Sequence, residues 1–337
     1  MLSTKQKKEP LDKVLEAQPP ADPMQPNAMT TISVATLGCK VNQFESEALT
    51  DALEQRGYAL IPFGDGADIT IINTCTVTHR ADFQSRQMVR RAFQSNPDSL
   101  IIVTGCYSQV EPDAFLKMKG VRYLFGNGEK SQIPDLLPLM QKGEFPRVQV
   151  SDIQKETEFS ETPLYSFHRH TRAFLKIQDG CNAYCSYCIV PHARGRSRSL
   201  QPERVAENLN VLKEKGFKEV VLTGIHLGAY GVDLNPPFSL EKLISQLERE
   251  ETPGRIRLSS IEPGDFSPEL ISTLRQSVKI CPHLHISIQS GDDEILKKMN
   301  RDYGHSFLLE LIRELHLTIP NLSVGADVIV GFPGETE

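Results

Sequence analysis

The chain has 337 residues, of which 39% are hydrophobic and 24% are charged, and its formal net charge is −6. That length suits two globular domains, and no apolar run approaches the roughly 20 residues that a membrane helix needs. The Lys- and Pro-rich N-terminus lacks the apolar segment of a secretory signal. We therefore expect a cytoplasmic protein without a membrane partner, and the acidic balance disfavours nonspecific coating of nucleic acid.

The first 29 residues are predicted to be a disordered tail. The prolines in AQPPADPMQP prevent a helix from continuing through this stretch. Met29 directly precedes the first apolar stretch and is an alternative start of the protein.

From Thr31 to Gly143, apolar stretches alternate with segments of helical periodicity. Strands are predicted at 31–37, 67–73 and 99–105, and helices at 44–57 and 81–94. Helices between apolar strands are typical of a parallel sheet with right-handed crossovers. The sequence therefore predicts a Rossmann-like parallel α/β domain over residues 30–143.

Three cysteines follow these three strands by one or two residues each: Cys39, Cys75 and Cys106. Because the carboxyl ends of parallel strands lie along one edge of a sheet, we expect the three thiols to converge there. Three unrelated core cysteines are the alternative, but core cysteines would lie within the strands rather than just beyond them.

Residues 144–171 are rich in proline and charge and are predicted to be a linker. A second series then begins at residue 172, with strands predicted at 173–178, 219–224, 255–260, 283–289 and 324–331. Helices are predicted between them at 202–215, 239–250, 267–277, 292–300 and 305–316. This pattern is typical of a partial βα barrel over 172–337, in which function collects at the carboxyl ends of the strands. The sequence stops just past the fifth strand, so we expect a truncated barrel.

The stretch GCNAYCSYCIVPHARGRSRS, residues 180–199, follows the first of these strands. It holds Cys181, Cys185 and Cys188 with the spacing C-x-x-x-C-x-x-C. Iron–sulfur clusters are held by thiolates, and three thiolates leave one iron of a four-iron cluster open to a chelating molecule. A zinc site completed by His192 is the alternative.

Seven further stretches extend the pattern: TLGCKVNQFESE, INTCTVT, VTGCYSQ, LTGIHLGAYG, RLSSIEP, SIQSGDDEILKKMNR and ADVIVGFPGETE. With them, the chain from Thr31 to Glu337 resembles the methylthiotransferases of the radical S-adenosylmethionine superfamily. LGCKVNQFESE and CSYCIVPHARGRSRS are most similar to the tRNA enzymes that act on N6-threonylcarbamoyladenosine. Relatives that act on isopentenyladenosine favour GCQMN in the first stretch, and relatives that modify a ribosomal protein favour GCPKN.

The resemblance implies two [4Fe–4S] clusters with S-adenosyl-L-methionine as a further cofactor. Cys181, Cys185 and Cys188 are implied to hold the radical-generating cluster, whose open iron binds S-adenosylmethionine. The set of Cys39, Cys75 and Cys106 is implied to hold the second cluster. The RNA-binding domain that usually follows in the family lies outside this sequence.

The function that the resemblance implies is that of a tRNA (N6-L-threonylcarbamoyladenosine-37-C2)-methylthiotransferase. A radical reaction would insert a methylthio group at C2 of the modified adenosine. The expected partners are a tRNA substrate and an unidentified electron donor. The oligomeric state is not indicated by the sequence, and a monomer is expected. The alternatives are a methylthiotransferase for isopentenyladenosine in tRNA or for a ribosomal protein, and a zinc-stabilised RNA-binding module without redox activity.

No catalytic side chain is assigned, but several residues are cofactor-binding candidates because they lie in the cysteine loop or at strand ends: Tyr187, Gly224, Ser260, Glu262, Gln289, Gly331 and Arg196. The basic run of Arg194, Arg196 and Arg198 is predicted to contact the cofactor carboxylate or RNA phosphate, with a solvated loop as the alternative. His226 is interpreted as a packed rim residue, and Cys281 as a buried structural cysteine.

Overall fold

The structure of the protein is a computed structural model that describes residues 30–161 and 171–336. The predicted tail over residues 1–29 lies outside the described residues. In the described ranges, no helix is long and apolar enough to cross a membrane.

The first half of the chain forms a six-stranded sheet in the order β2-β1-β3-β4-β5-β6, with every neighbouring pair parallel. The strands are β1 (Thr31–Thr36), β2 (Ala59–Leu60), β3 (Ile69–Thr74), β4 (Leu100–Gly105), β5 (Val121–Phe125) and β6 (Val148–Gln149). The helices are α1 (Lys40–Gln55), α2 (His79–Ser95), α3 (Cys106–Val110), α4 (Asp113–Leu116) and α5 (Ile133–Lys142).

The three predicted strands of this half are confirmed, and every residue of β3 is buried because helices cover both faces of the sheet. The helix α1 begins four residues earlier than predicted, directly after Cys39. The edge strand β6 belongs to the same sheet although it lies within the range that was predicted as a linker.

The second half contains two parallel arrays, β7-β10-β11 and β12-β13-β14. Its strands are β7 (Ala173–Lys176), β8 (Gln178–Asp179), β9 (Arg198–Ser199), β10 (Glu219–Thr223), β11 (Arg255–Leu258), β12 (Ser260–Ile261), β13 (His283–Gln289) and β14 (Ser323–Val328). Only Ser259 separates β11 from β12, so the parallel strands follow one another in chain order as in a barrel. The predicted partial βα barrel is confirmed, and β8 and β9 add a short antiparallel pair.

Helices follow the strands of the second half: α6 (Val190–Arg194), α7 (Pro202–Glu214), α8 (Leu240–Leu247), α9 (Pro268–Gln276), α10 (Asp293–Lys298) and α11 (His305–Thr318). The helix α1 packs against both halves of the chain. Phe44 on this helix is 3% exposed and belongs to the hydrophobic core of the second half, which also contains Leu175 of β7. The helix that begins at Cys39 therefore joins the sheet to the partial barrel.

Candidate metal centres

The first three cysteines converge at one edge of the sheet. The strands β1, β3 and β4 are neighbours, with Thr36 paired to Asn73 and Thr74 paired to Gly105. Cys75 and Cys106 directly follow β3 and β4, and Cys39 lies three residues after β1. A Cβ built on Gly38 would lie only 3.1 Å from Cys75 Sγ, so the Cys75 side chain packs against the loop that carries Cys39. Cys39, Cys75 and Cys106 therefore lie at the same edge of the sheet, as the strand order requires, and their role as ligands of one cluster stays a prediction.

Amide side chains fix the loops around this group of cysteines. Asn42 Nδ2 donates to Leu37 O at 2.7 Å and to Thr74 O at 3.1 Å, which ties the loop after β1 to the end of β3. Asn127 Nδ2 lies 3.6 Å from Cys106 Sγ. Donors of this kind are among the features that set the reduction potential of thiolate-ligated clusters.

The second group of cysteines lies in the loop between β8 and α6. Cys181, Cys185 and Cys188 are all partly exposed. The backbone N–H of Ala183 donates to Cys181 Sγ at 3.4 Å. The end of α10 holds the loop from the other side, because Ser186 donates through its N–H to Met299 O at 3.1 Å and through its Oγ to Lys298 O at 2.7 Å.

The cysteine loop turns at Gly180, which has a φ of +72°. A Cβ on this residue would lie 1.9 Å from Arg196 O, which is far inside any contact distance. The turn brings Cys181 N to 3.0 Å from Gly195 O. Only glycine fits this close approach of two backbone segments.

Gly180→Ala is expected to disorder the cysteine loop and to lower the iron bound at this loop after anaerobic reconstitution. Gly216→Ala is the matched control, because Gly216 also has a positive φ of +88° but nothing lies within 4 Å of the position that a Cβ would take there. The control loses only the roughly 1–2 kcal/mol of left-handed backbone strain and keeps its iron. Equal iron content in the two variants would contradict the close-packing argument.

Three of the six thiols, which include members of both groups, are suited to binding metal rather than to acting as free nucleophiles. Burial raises the pKa of Cys75, Cys185 and Cys188 above the usual value of a thiol. A free thiol with a raised pKa is inert at neutral pH, whereas a bound metal removes the proton outright. The two sets of three sulfurs therefore fit thiolate-ligated iron–sulfur clusters.

A single metal ion fits the described residues less well. Within residues 30–161 and 171–336, no three Cys, His, Asp or Glu side chains come close enough together to hold one ion. His192, the proposed fourth ligand of a zinc site, is exposed. A four-iron cluster is larger than one ion and needs its ligands farther apart, so the geometry gives no support to the zinc alternative.

Two cofactor-binding candidates are brought together by a residue that the sequence reasoning missed. Arg301 donates through Nη2 to Tyr187 Oη at 2.5 Å and forms an ion pair through Nη1 with Glu262. Burial raises the pKa of Tyr187 to about 12 and also raises the pKa of Glu262. This trio lies beside Cys185, whose pKa responds to both Arg301 and Glu262 after the larger effect of burial. The sequence does offer one signal for Arg301, because this residue ends the stretch SIQSGDDEILKKMNR, one of the stretches that carry the family resemblance.

The other candidates are distributed along the strand ends. Ser260 Oγ lies 2.8 Å from His285 Nδ1, and Gln289 ends β13 with a φ of +65°. Gly224 packs against Gln178, whose Oε1 would lie 2.9 Å from a Cβ, so a side-chain contact within the protein accounts for this glycine. Gly331 is exposed with open space around it, and Arg196 is exposed. These positions remain predictions as cofactor ligands.

His226 contacts a cysteine of the second group, although it was interpreted only as a packed rim residue. Its Nδ1 lies 3.6 Å from Cys181 Sγ, and its Nε2 lies 2.9 Å from Asp265 Oδ2. Although burial opposes protonation, Asp265 and Cys181 raise the pKa of His226 to about 10. The carboxylate thus orients the imidazole toward the sulfur, much as carboxylates orient histidines at metal sites. Cys281, by contrast, is buried as predicted.

The prediction that the basic run contacts cofactor or RNA is wrong for two of its three arginines. Arg194 is 1% exposed and donates to Glu45 Oε1 and Asp179 Oδ1, each at 2.9 Å. Arg198 is also buried and donates to Arg194 O at 2.8 Å. Their charges face the interior of the protein, and only Arg196 is exposed.

The ion pairs of Arg194 belong to a larger buried set, here called the Arg194 network: Asn42, Glu45, Lys130, Lys176, Asp179 and Arg194. Although burial opposes ionisation, Arg194 and its neighbouring lysines hold the pKa of Glu45 well below its usual value. Arg194 and Lys176 likewise lower the pKa of Asp179 against the effect of burial. Glu45 lies on α1 of the first half, whereas Lys176, Asp179 and Arg194 lie in the second half, so the network joins the two.

Comparison with known proteins gives the family. Residues 31–126 match the uncharacterized protein family UPF0004, and residues 175–337 match the radical SAM superfamily. The chain is 44% identical over 310 residues to threonylcarbamoyladenosine tRNA methylthiotransferase MtaB of Bacillus subtilis, across 92% of this chain and 68% of that protein. Its counterpart in Aquifex aeolicus is 39% identical over 91% of this chain and 74% of that protein. This chain belongs to the MtaB branch of the radical S-adenosylmethionine methylthiotransferases.

Other relatives of the methylthiotransferase family are also similar. The tRNA-2-methylthio-N(6)-dimethylallyladenosine synthase of Natranaerobius thermophilus is 36% identical over 90% of this chain and 68% of that protein. Among solved structures, the radical S-adenosylmethionine methyltransferase TsrM of Kitasatospora setae superposes with a TM-score of 0.67 at 16% identity, across 91% of this chain and 69% of that one. That likeness concerns the fold. Membership of the family makes the protein a radical S-adenosylmethionine enzyme, and this family uses S-adenosylmethionine with [4Fe–4S] clusters.

Proposed function

We propose that the protein inserts a methylthio group at C2 of N6-threonylcarbamoyladenosine in tRNA. The observation that carries this proposal is the presence of two converging cysteine triplets in one chain of the methylthiotransferase family. The substrate is inferred from the relatives in Bacillus subtilis and Aquifex aeolicus, whose names specify threonylcarbamoyladenosine tRNA. A tRNA substrate implies a cytoplasmic enzyme.

The side chains around the two triplets have distinct tasks in this proposal. Cys181, Cys185 and Cys188 would hold the cluster that binds S-adenosylmethionine, and Cys39, Cys75 and Cys106 would hold the second cluster. The C2–H bond of adenine is unactivated, and the reductive cleavage of S-adenosylmethionine supplies the radical that such a bond requires.

The side chains beside the second cysteine group would orient the cofactor cluster. The ring of Tyr187 and the guanidinium of Arg301 lie against each other beside the cysteine loop, with 5.8 Å between the Arg301 carbon and the ring centroid. His226, held by Asp265, fixes the orientation of the Cys181 sulfur. These contacts fix the side chains that surround the loop.

The substrate assignment is tested in a bacterial strain whose own methylthiotransferase gene for this nucleoside is deleted. Such a strain lacks 2-methylthio-N6-threonylcarbamoyladenosine. Expression of the chain is expected to restore that nucleoside in hydrolysed tRNA, measured by mass spectrometry, and a Cys185→Ala variant is the inactive control. Restoration of the 2-methylthio derivative of dimethylallyladenosine instead would favour the second substrate, which the Natranaerobius relative suggests. Absence of both products from a chain with intact clusters would overturn the tRNA assignment.

An exposed stripe of α2 offers a contact surface for this RNA. The helix carries four arginines against one aspartate, and Ser85 Oγ anchors it to Cys75 O at 3.1 Å. Arg80, Gln84, Gln87, Arg91 and Gln94 lie on one side of the helix at helical spacing, and all five are exposed. Arginine and amide side chains of this kind are typical contacts to phosphate and sugar, and here they extend from the edge that carries Cys75.

The double substitution Arg80→Ala and Arg91→Ala is expected to weaken tRNA binding and to reduce its dependence on salt. Each lost phosphate contact lowers the slope of log K against log salt by about one. The matched control is Arg122→Ala, because Arg122 is exposed near the opposite, amino-terminal end of its strand β5. If tRNA binding weakened equally in the double variant and in the control, the RNA would have to bind a surface other than α2.

A further inference from the structure

The Arg194 network concentrates charge in the interior of the protein. Arg194, Lys130, Lys176, Glu45 and Asp179 are between 1% and 8% exposed. Lys130 Nζ donates to Glu45 Oε2 at 2.6 Å, and Lys176 Nζ donates to Glu45 Oε1 at 3.2 Å and Asp179 Oδ2 at 3.1 Å. Buried charges are costly unless they are paired and hydrogen-bonded, and each of these groups has at least one partner.

The network nevertheless contains more positive than negative charge. Among the buried groups, three cations, Lys130, Lys176 and Arg194, face two carboxylates, Glu45 and Asp179. The carboxylates of Glu156 and Glu158 line the adjoining cavity, but neither residue is buried. Arg198 adds positive charge at the Asp179 end, where it bonds only to backbone carbonyl groups in the described contacts. An uncompensated charge in the interior destabilises the folded protein, which raises the question of what balances the surplus.

The surplus lies directly behind the first cysteine group. Arg194 donates to Asn42 Oδ1, and Asn42 Nδ2 in turn donates to Thr74 O, which precedes Cys75. On the other side, Asn127 bridges Cys106 Sγ to Ala193 O, which precedes Arg194. Two short bridges therefore connect the network to Cys75 and to Cys106.

The charge of a cluster at this position would have the opposite sign to that of the network. An oxidised four-iron cluster held by three thiolates carries a net negative charge, so it can balance the positive surplus of the network.

We propose that the surplus positive charge of the Arg194 network sets the reduction potential of the cluster held by Cys39, Cys75 and Cys106. This inference rests on the proposed function, because it takes that triplet to hold a cluster. A cluster gains one negative charge when it is reduced, and buried positive charge nearby favours the reduced state. Lys130, Glu45 and Arg194 would thus act as positioning and charge-setting residues, without touching the substrate.

The test changes the charge of the network one unit at a time. It uses a chain whose other cluster has been removed by Cys181→Ala, Cys185→Ala and Cys188→Ala. The potential of the remaining cluster is followed by anaerobic redox titration with electron paramagnetic resonance. Lys130→Met removes a positive charge and is expected to shift the potential to more negative values. Glu45→Gln removes a negative charge and is expected to shift it to more positive values. The double variant restores the original charge count, so its potential is expected to return to that of the starting chain.

Two controls separate charge from packing. Lys130→Arg keeps the charge and should leave the potential near its starting value, and Lys142→Met removes a charge from the exposed end of α5, where solvent screens it. If Lys130→Met does not fold, the sign of the shift in Glu45→Gln decides the question. Single variants that shift the potential in the same direction, or not at all while iron remains bound, would overturn the charge inference alone. Absence of iron from the starting triple variant would instead overturn the cluster assignment.

Discussion

Replacing Arg194 with methionine is expected to lower the free energy of unfolding by about 3–5 kcal/mol, the usual effect of removing one partner from a buried ion pair. Glu45 and Asp179 would each lose a donor at 2.9 Å, while the remaining lysines cannot reproduce the several N–H groups that one guanidinium supplies. The loss is measured by urea denaturation of the cluster-free chain, followed by circular dichroism.

The matched control for this prediction is Arg196→Met, two residues farther along the same loop. Arg196 is exposed, and exposed substitutions of this kind usually change stability by no more than about 0.5 kcal/mol. Losses of similar size in the two variants would contradict the central place of Arg194 in the network. A smaller loss for Arg194→Lys than for Arg194→Met would show that charge as well as packing matters.

The same arginines mark the limit of what the sequence can predict. Arg194, Arg196 and Arg198 lie in one short run and look alike along the chain, because the local sequence carries no information on distant partners. The carboxylate of Glu45 is 149 residues away from Arg194, and only the folded arrangement brings the two together. Their separation into buried and exposed residues is therefore a tertiary effect.

The cysteine group at the sheet edge could be predicted because its position follows from local sequence patterns rather than from distant partners. The positions of Cys75 and Cys106 depend on strand boundaries, which follow from the alternation of apolar stretches and helices along the chain. Parallel pairing then places strand ends side by side whatever the exact strand order. The contacts of His226 with Asp265, and of Arg301 with Glu262, both span 39 residues, so periodicity gives no sign of them.

The helix α1 shows why the two cysteine groups depend on each other. It begins after Cys39, contributes Phe44 to the core of the partial barrel, and contributes Glu45 to the Arg194 network. Asp179 and Arg194 flank the second cysteine loop on its two sides. A shift of α1 would therefore move ligands of the first group relative to the loop of the second, which links domain packing to the relative placement of the two centres.

Removing either cysteine triplet is expected to halve the iron and sulfide content of the reconstituted chain. The unchanged protein should bind about eight iron atoms, and each triple alanine variant about four, because each triplet fits one four-iron cluster. Both variants are expected to lose all detectable methylthiolation of tRNA, since the reaction needs both centres. Iron and sulfide are measured chemically after anaerobic reconstitution, together with zinc.

Cys281→Ala is the control for these variants, because Cys281 is buried away from both groups and its Sγ lies 3.9 Å from Glu219 Oε2. Its iron content should match that of the unchanged protein, although its stability falls by the small amount expected for a lost buried sulfur. Loss of all iron on removal of one triplet would mean that the two groups assemble a single centre. One zinc per chain without iron would overturn both cluster assignments, and with them the radical chemistry proposed for this chain.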